Sequence, residues 1–334
     1  NDGVQKDKKN TKAVIVNVDI DVVSNSNMKQ SSVVEQSRQS GGHIVGNFPK
    51  YYDFNPIHER LCLFSTTAIE ETKNRTTTER TMQISKWTSC LTNKTNKTNE
   101  SNVGNVGNVG NVVLLDVGCN SGDLSLGLLN MLQNEWKDST SSSLTRSTSN
   151  DICLLGIDVD DALIKRAKMK ILETTNVQHP TIIFHTADIC NQNDIHQIHV
   201  LLDQLRHTNQ PSTKQLSSVA ASDITFVFGI TMWIHLHHGD EGLRSVLHTL
   251  GNMTLTTMVI EIHPWKNYKS AIKRIKKQKL EIPIHWKSIV HRGPGETEKF
   301  VQRVMLEIGY EMKYNFGSTG WGREVHSYER VRVR

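Results

Sequence analysis

The sequence predicts a doubly wound α/β sheet, on three observations. Short apolar runs alternate with stretches of helical periodicity, the segments joining them are polar, and a glycine-bearing turn follows the first apolar run. The alternation starts with a strand at Val112 to Val117 and a helix at Leu124 to Leu132. It continues with Cys153 to Ile157, Ala162 to Leu172, Thr181 to His185, Ile224 to Phe228 and Leu243 to Leu250, and then with Met258 to Ile262 and Tyr268 to Gln278. Strands separated by helices pair in parallel, and ligands of such sheets sit beyond the carboxyl ends of the strands, near the point where strand order reverses.

A chain of 334 residues that is 37% hydrophobic can bury a sizeable core. Residues 1–42 are rich in Lys, Ser, Asn and Gln apart from the β-prone run Ala13 to Val23, and are expected to form a disordered N-terminal arm. The remainder, 43–334, reads as one domain carrying polar inserts near 66–112, 138–150 and 207–222, the first ending in the tandem "NVGNVGNVGNV". No apolar run approaches the roughly 20 residues of a membrane span. The five cysteines (Cys62, Cys90, Cys119, Cys153, Cys190) are odd in number, widely spaced and without a C-x-x-C pair, which argues against a disulfide framework and a structural zinc site. A reducing, cytoplasmic setting is expected. Glycosylation-type tripeptides start at Asn74, Asn93, Asn96, Asn99 and Asn252, as chance matches do where Asn and Thr abound.

The turn reads "LLDVGCNSGDLS" from Leu114 to Ser125. A dinucleotide fingerprint needs G-x-G-x-x-G, but Asn120 holds the middle glycine place and Asp123 stands where the last glycine belongs. The form present, D-x-G-x-x-x-G with Asp116, Gly118 and Gly122, suits a ligand without a pyrophosphate. Gly118 lets the backbone approach a carboxylate and an amine, and Asp116 is placed to orient them. S-adenosylmethionine (SAM) presents such an amino-acid end. Asp158, ending "LLGID", is placed to accept from both ribose hydroxyls, and Asp188, ending "FHTAD", to hold the adenine amino group. The gap from Gly122 to Asp158 exceeds the usual spacing of about 20 residues, an excess that the 138–150 insert absorbs. One such motif would suit any α/β turn with solvated acids; three in order outweigh that reading.

Three further stretches are more specific: "GNFPKYYDFNPIHERL", "ITMWIHLHHGDEGL" and "EIHPWKNY". On them the chain resembles the bicoid-interacting family of RNA 5′-phosphate methyltransferases, most closely its short cytoplasmic members, from roughly Gly46 to Tyr328 outside the inserts. The resemblance implies a Rossmann-like class I SAM-dependent methyltransferase fold and methyl transfer to an RNA 5′-monophosphate, with histidine transfer RNA and precursor microRNAs as candidate substrates. The family's nuclear relatives instead cap a small nuclear RNA on its γ-phosphate. Carried over, it implies that Arg60 meets the SAM carboxylate and that Gly118 and Asn120 line the methionine end. It also implies that Asp158 holds the ribose, that Asp188 and Ile189 flank the adenine, and that Ile230 lies beside the reaction centre. The family's E-P-Q-P-W appears here as Glu261, Ile262, His263, Pro264, Trp265.

A phosphate monoester with a second pKa of about 6 is already anionic near neutrality, so positioning dominates over base catalysis. Tyr51, Thr231 and His235 are the candidates for contacts that place the phosphate at the reacting methyl. Lys50, Trp233, Glu261, Trp265 and Lys266 are assigned to the substrate, with the two Trp residues as walls or a base-stacking surface. Either Trp reads equally as core, and His235 as a satisfied structural histidine. His237 and His238 raise a metal site, but methyl transfer from SAM needs none and no Cys or carboxylate completes a ligand set. From Lys266 to Lys279 the chain holds seven Lys or Arg in fourteen residues. Such a stripe follows a phosphate backbone or is simply a solvated face. RNA is the expected partner of a monomer, with no membrane and no metal. A small-molecule methyltransferase and a non-catalytic RNA-binding module are the competing readings.

Overall fold

The computed structural model describes residues 51–64, 111–140, 152–173, 182–208 and 220–331. The expected N-terminal arm, Lys50 and most of the three polar inserts lie outside the described residues.

Among the described residues two short helices come first, α1 (Tyr51–Phe54) and α2 (Ile57–Phe64). The alternating core follows: β1 (Val112–Val117), α3 (Asp123–Thr140), β2 (Ile152–Asp158), α4 (Asp161–Glu173), β3 (Ile182–Thr186), α5 (Gln192–Arg206) and β4 (Ser222–Val227). Then come α6 (Thr231–Asn252), β5 (Thr254–Ile262), α7 (Trp265–Lys277), a 3-10 turn (Ile284–Lys287), α8 (Glu296–Glu307), β6 (Tyr310–Ser318) and β7 (Glu324–Arg330). Among the described residues the strands form one seven-stranded sheet in the order β3-β2-β1-β4-β5-β7-β6. The first five are parallel, while β7 runs antiparallel to β5 and β6 antiparallel to β7.

β1 and β2 are buried along their whole length, which is why "VVLLDV" and "ICLLGID" read as continuous apolar runs and not as alternating ones. The period of two survives in which face each residue serves. Val113, Leu115 and Val117 pack with α5, α6 and α8 residues such as Ile198, Leu202, Val246 and Phe300. Leu114 packs on the other face with Phe64, Leu128, Leu132 and Ala167 from α2, α3 and α4. A smaller third cluster joins Met232, Trp233 and Leu236 of α6 to Tyr268, Ala271, Ile272 and Ile275 of α7. Strand order reverses between β1 and β4, so the switch point lies at their carboxyl ends.

The parallel core matches the expected doubly wound sheet; the additions differ. α5 stands directly before the insert expected near 207–222 and carries buried Ile198, Leu202 and Leu205 at helical spacing, with Asn191 Oδ1 accepting from the Asn193 N–H at its start. α6 begins twelve residues earlier than the expected Leu243 and bends at Gly239, where the backbone leaves helical geometry. β6 and β7 have no parallel-strand signature. β6 is an edge strand with Glu311, Met312 and Lys313 exposed, so its sequence lacks the apolar run of the buried strands.

Candidate functional site

At the carboxyl ends of β1, β2 and β4 lies a cleft. Tyr51, Tyr52 and Arg60 line it from the two N-terminal helices, Asp116, Gly118, Asn120 and Leu124 from the β1 turn, Asp158 from β2, and Phe228, Gly229, Ile230 and Trp233 from the β4–α6 junction.

The turn's residue types follow from its geometry. Gly118 has φ 78°, and a β-carbon there would stand 2.2 Å from Ile230 Cγ2, so any larger residue strains the backbone and collides with the opposite wall. Asn120 is also in the left-handed region, φ 53°, which Asn tolerates better than most residues. Its side-chain oxygen accepts from the Ser121 N–H at 2.8 Å, and its backbone N–H donates to Asp158 Oδ2 at 2.9 Å. The middle slot therefore ties the turn to the end of β2 instead of leaving room for a pyrophosphate.

Two buried acids face the cleft. Burial pushes the Asp116 carboxyl up to about 6, against the opposing pull of a hydrogen bond from Ser125 Oγ at 2.5 Å. Burial likewise pushes Asp158 up to about 6, although the N–H groups of Asp160 and Asn120 donate to it and work the other way. The same lining holds a cation. Arg60 is 1% exposed and donates from Nη2 to Glu261 Oε2 at 2.8 Å and to the Tyr51 hydroxyl at 2.7 Å. Its guanidinium lies 5.4, 5.9 and 5.0 Å from the ring centres of Tyr51, Phe228 and Trp321. Burial works against its charge, but Glu261 and Tyr51 outweigh it and hold its pKa above the ordinary value. Two of its donors, Nε and Nη1, have no partner among the described residues.

Behind Arg60, Glu261 is fully buried and also receives Arg323 Nη1 at 3.3 Å and Trp321 Nε1 at 3.3 Å. Burial alone would raise its pKa; Arg60 and Arg323 bring it below the usual carboxylate range. Arg323 Nη1 reaches the Tyr51 hydroxyl at 2.9 Å, so that oxygen accepts from two arginines. A buried cation with spare donors, two buried acids and Gly118 in one lining fit the zwitterionic end and ribose of SAM. Arg60 would take the carboxylate, Asp116 the ammonium and Asp158 the ribose hydroxyls.

Tyr51, Arg60, Asp116, Gly118, Asn120, Asp158, Ile230 and Trp233 are thus brought to one cleft. Asp188 and Ile189 follow β3 outside that lining. Asp188 Oδ1 accepts from the Cys190 N–H at 2.8 Å, and Ile189 is buried in the core. Four of the expected site residues make other contacts. Gly122 is not part of the lining; a β-carbon there would stand 2.6 Å from Phe184 Cζ, so this glycine lets the turn pack on β3. The Thr231 hydroxyl faces inward, 3.2 Å from His263 Nδ1 and 3.4 Å from the Glu261 carbonyl oxygen it donates to. His235 is fully buried, 3.0 Å from the Tyr268 hydroxyl and 3.3 Å from Asp240 Oδ1, and stacks on Phe300, as a structural histidine does. Glu261 is the buried counter-ion of Arg60 and Arg323, an anion that would repel a phosphate. Trp265 is half-buried, stacked on Tyr268 and Trp286, and Lys266 is exposed at the start of α7. Among the described residues no group of three or more side chains is arranged to hold a metal.

Trp321 and Arg323 are the main additions to the site. They stand in "GWGRE", between β6 and β7, where the local pattern marks a glycine turn and nothing more. Tyr52, inside the stretch "GNFPKYYDFNPIHERL", and Phe228, at the end of the apolar run of β4, also line the cleft.

Residues 222–330 match the family model described as Bicoid-interacting protein 3 (Bin3). The chain is 29% identical over 288 residues to the RNA 5′-monophosphate methyltransferase of Rattus norvegicus, covering 85% of this chain and 82% of that protein. It is 29% identical to the pre-miRNA 5′-monophosphate methyltransferase of Danio rerio, covering 89% of this chain and 96% of that protein. Against the RNA 5′-monophosphate methyltransferase of Mus musculus it is 31% identical over 214 residues, 63% of this chain and 66% of that protein.

Proposed function

We propose that this chain, whose residues 222–330 match the Bin3 model and which is 29% identical to RNA 5′-monophosphate methyltransferases over most of its length, is a SAM-dependent O-methyltransferase acting on the 5′-monophosphate of RNA. One observation carries the reading: the buried, counter-ion-held Arg60 with two unpartnered donors, set in a cleft with Asp116 and Asp158. When bound, SAM supplies an electrophilic methyl group on a sulfonium. The residues of the chain bind, orient and exclude water. Glu261 fixes the Arg60 guanidinium so that its spare N–H groups meet a carboxylate without rearranging. Asp158 and the Asn120 N–H hold the ribose side of the turn in register.

On the acceptor side, Tyr51 holds its hydroxyl at the cleft wall by accepting from Arg60 and Arg323. Its own proton is then free to be donated to a phosphate oxygen. Arg323 brings a second positive charge, and Glu261 offsets the pair, so the phosphate is held while its attacking oxygen stays nucleophilic. No strong base is required, because the phosphate is already ionised near pH 7. Phe228, Ile230 and Trp233 wall the junction with apolar surface and keep water from competing for the methyl. Methylation removes one charge and blocks one oxygen of the end. Histidine transfer RNA and precursor microRNAs are the candidate substrates, met by a monomer in the cytoplasm.

An exonuclease that requires a free 5′-monophosphate tests the reading. RNA first incubated with the protein and SAM is expected to resist digestion, whereas RNA incubated without SAM is degraded. Equal degradation in both arms contradicts the assignment.

A further inference from the structure

α7 is sided more strongly than a surface helix needs to be. Tyr268, Ala271, Ile272 and Ile275 are buried against Met232, Leu236 and Ile289. The opposite side presents Lys266, Lys269, Lys273, Arg274, Lys276 and Lys277, all exposed, and the helix holds no acidic residue. Among the described residues none of these six pairs with a carboxylate. A solvated helix face ordinarily mixes both signs; this one is of a single sign over a length of about 20 Å for its thirteen residues.

The stripe starts at the cleft. α7 begins just past the carboxyl end of β5, the strand that carries Glu261. Lys266 Nζ lies 2.8 Å from where a β-carbon on Gly322 would stand, and the next residue, Arg323, holds the Tyr51 hydroxyl. Partial desolvation of the Arg274 guanidinium presses its pKa down, and the Arg323 charge, near enough to be felt, adds to that. A lipid surface is a poor occupant, because an interfacial helix inserts its apolar face and that face is already spent on the core.

We propose that the exposed face of α7 is a track for the phosphate backbone of the substrate RNA, which leaves the cleft beside Lys266 and runs toward Lys277. The inference rests on the cleft being a 5′-monophosphate site. The contacts are to phosphates alone, so they add affinity and salt dependence without sequence preference.

The test is the triple variant Lys269→Gln, Lys273→Gln, Lys276→Gln in the full chain. All three side chains are exposed and, among the described residues, pair with no carboxylate, so the melting temperature is expected to stay at the wild-type value. Binding of a 5′-monophosphate hairpin RNA is measured from 50 to 200 mM salt, and the slope of log K against log salt is expected to become shallower by about two to three. Affinity for the hairpin at low salt is expected to fall about tenfold or more, while turnover of a 5′-phosphorylated dinucleotide, too short to reach the stripe, stays unchanged. An unchanged salt slope overturns the proposal. Equal loss on hairpin and dinucleotide overturns it too, as does wild-type binding to phosphatidylserine vesicles that the variant loses while keeping the hairpin. A shallower slope in a protein that methylates no 5′-monophosphate would uphold the track and refute the cleft reading alone.

Discussion

Lowering the pH from 7 to 5 should weaken SAM binding steeply, because Asp116 and Asp158 both titrate near 6 in the free cleft. Both are expected to be ionised in the complex, one facing an ammonium and the other ribose hydroxyls. At pH 5, one unit below that midpoint, each is protonated in about nine-tenths of molecules, so each proton that must leave weakens affinity about tenfold and the two together about a hundredfold. Folding responds in the opposite sense. The folded pKa of each acid lies above the ordinary 3.8, so its burial costs nothing at pH below that value and its full cost is felt above about 6. Two pK units amount to about 3 kcal/mol per group, and the SAM-free protein should therefore gain stability from this pair as pH falls through 6. Titration calorimetry at pH 5, 6 and 7, in buffers of different ionisation heat, reads both the affinity and the protons released. Asp158→Asn should remove one of the two, halving the logarithmic slope. A dissociation constant that is flat across this range, with no proton release, would refute the assignment of these acids to the ligand.

Three other outcomes follow from the same geometry. Glu261→Ala leaves Arg60 buried without its counter-ion and should cost about 3–5 kcal/mol, lowering the melting temperature by roughly 10 °C; an unshifted thermal melt would contradict it. Tyr51→Phe should slow methyl transfer at saturating RNA about tenfold or more while SAM affinity by calorimetry stays within about threefold; a wild-type rate would remove Tyr51 from the phosphate site. His235→Gln should cost about 1–3 kcal/mol in a denaturant melt, since Tyr268 and Asp240 lose a partner, but leave kcat near wild type. A large loss of kcat at unchanged stability would return His235 to the chemistry.

The parts of the site that sequence makes legible are those whose chemistry is local. Gly118, Asn120 and Asp116 fall within one turn, Asp158 ends an apolar run, and both features depend on a strand end that any reader of periodicity can place. Arg60 is different: nothing near it predicts burial, and only its family-like context "HERL" pointed to the cleft. Its burial is explained by Glu261, 201 residues away, and the partner that completes the pair, Arg323, is reached by a hairpin whose edge strand is too polar to announce itself. Thr231 and His235 show the converse case. The word "ITMWIHLHHGDEGL" begins at Ile230, on the cleft wall, but from Thr231 it is helical, and helical periodicity turns Thr231 and His235 inward while Trp233 stays at the cleft. Spacing along a motif does not say which of its residues face a ligand; the packing of α6 against α7 and α8 does.

The most direct test of the central claim is to incubate the purified protein with methyl-labelled SAM and one hairpin RNA bearing a 5′-monophosphate, a 5′-triphosphate or a 5′-hydroxyl, and count the label on each. Label on the monophosphate form alone is the expected result. Label on all three would place the target on a base or ribose, label on the triphosphate alone would place it on the γ-phosphate, and no label on the monophosphate would contradict the account.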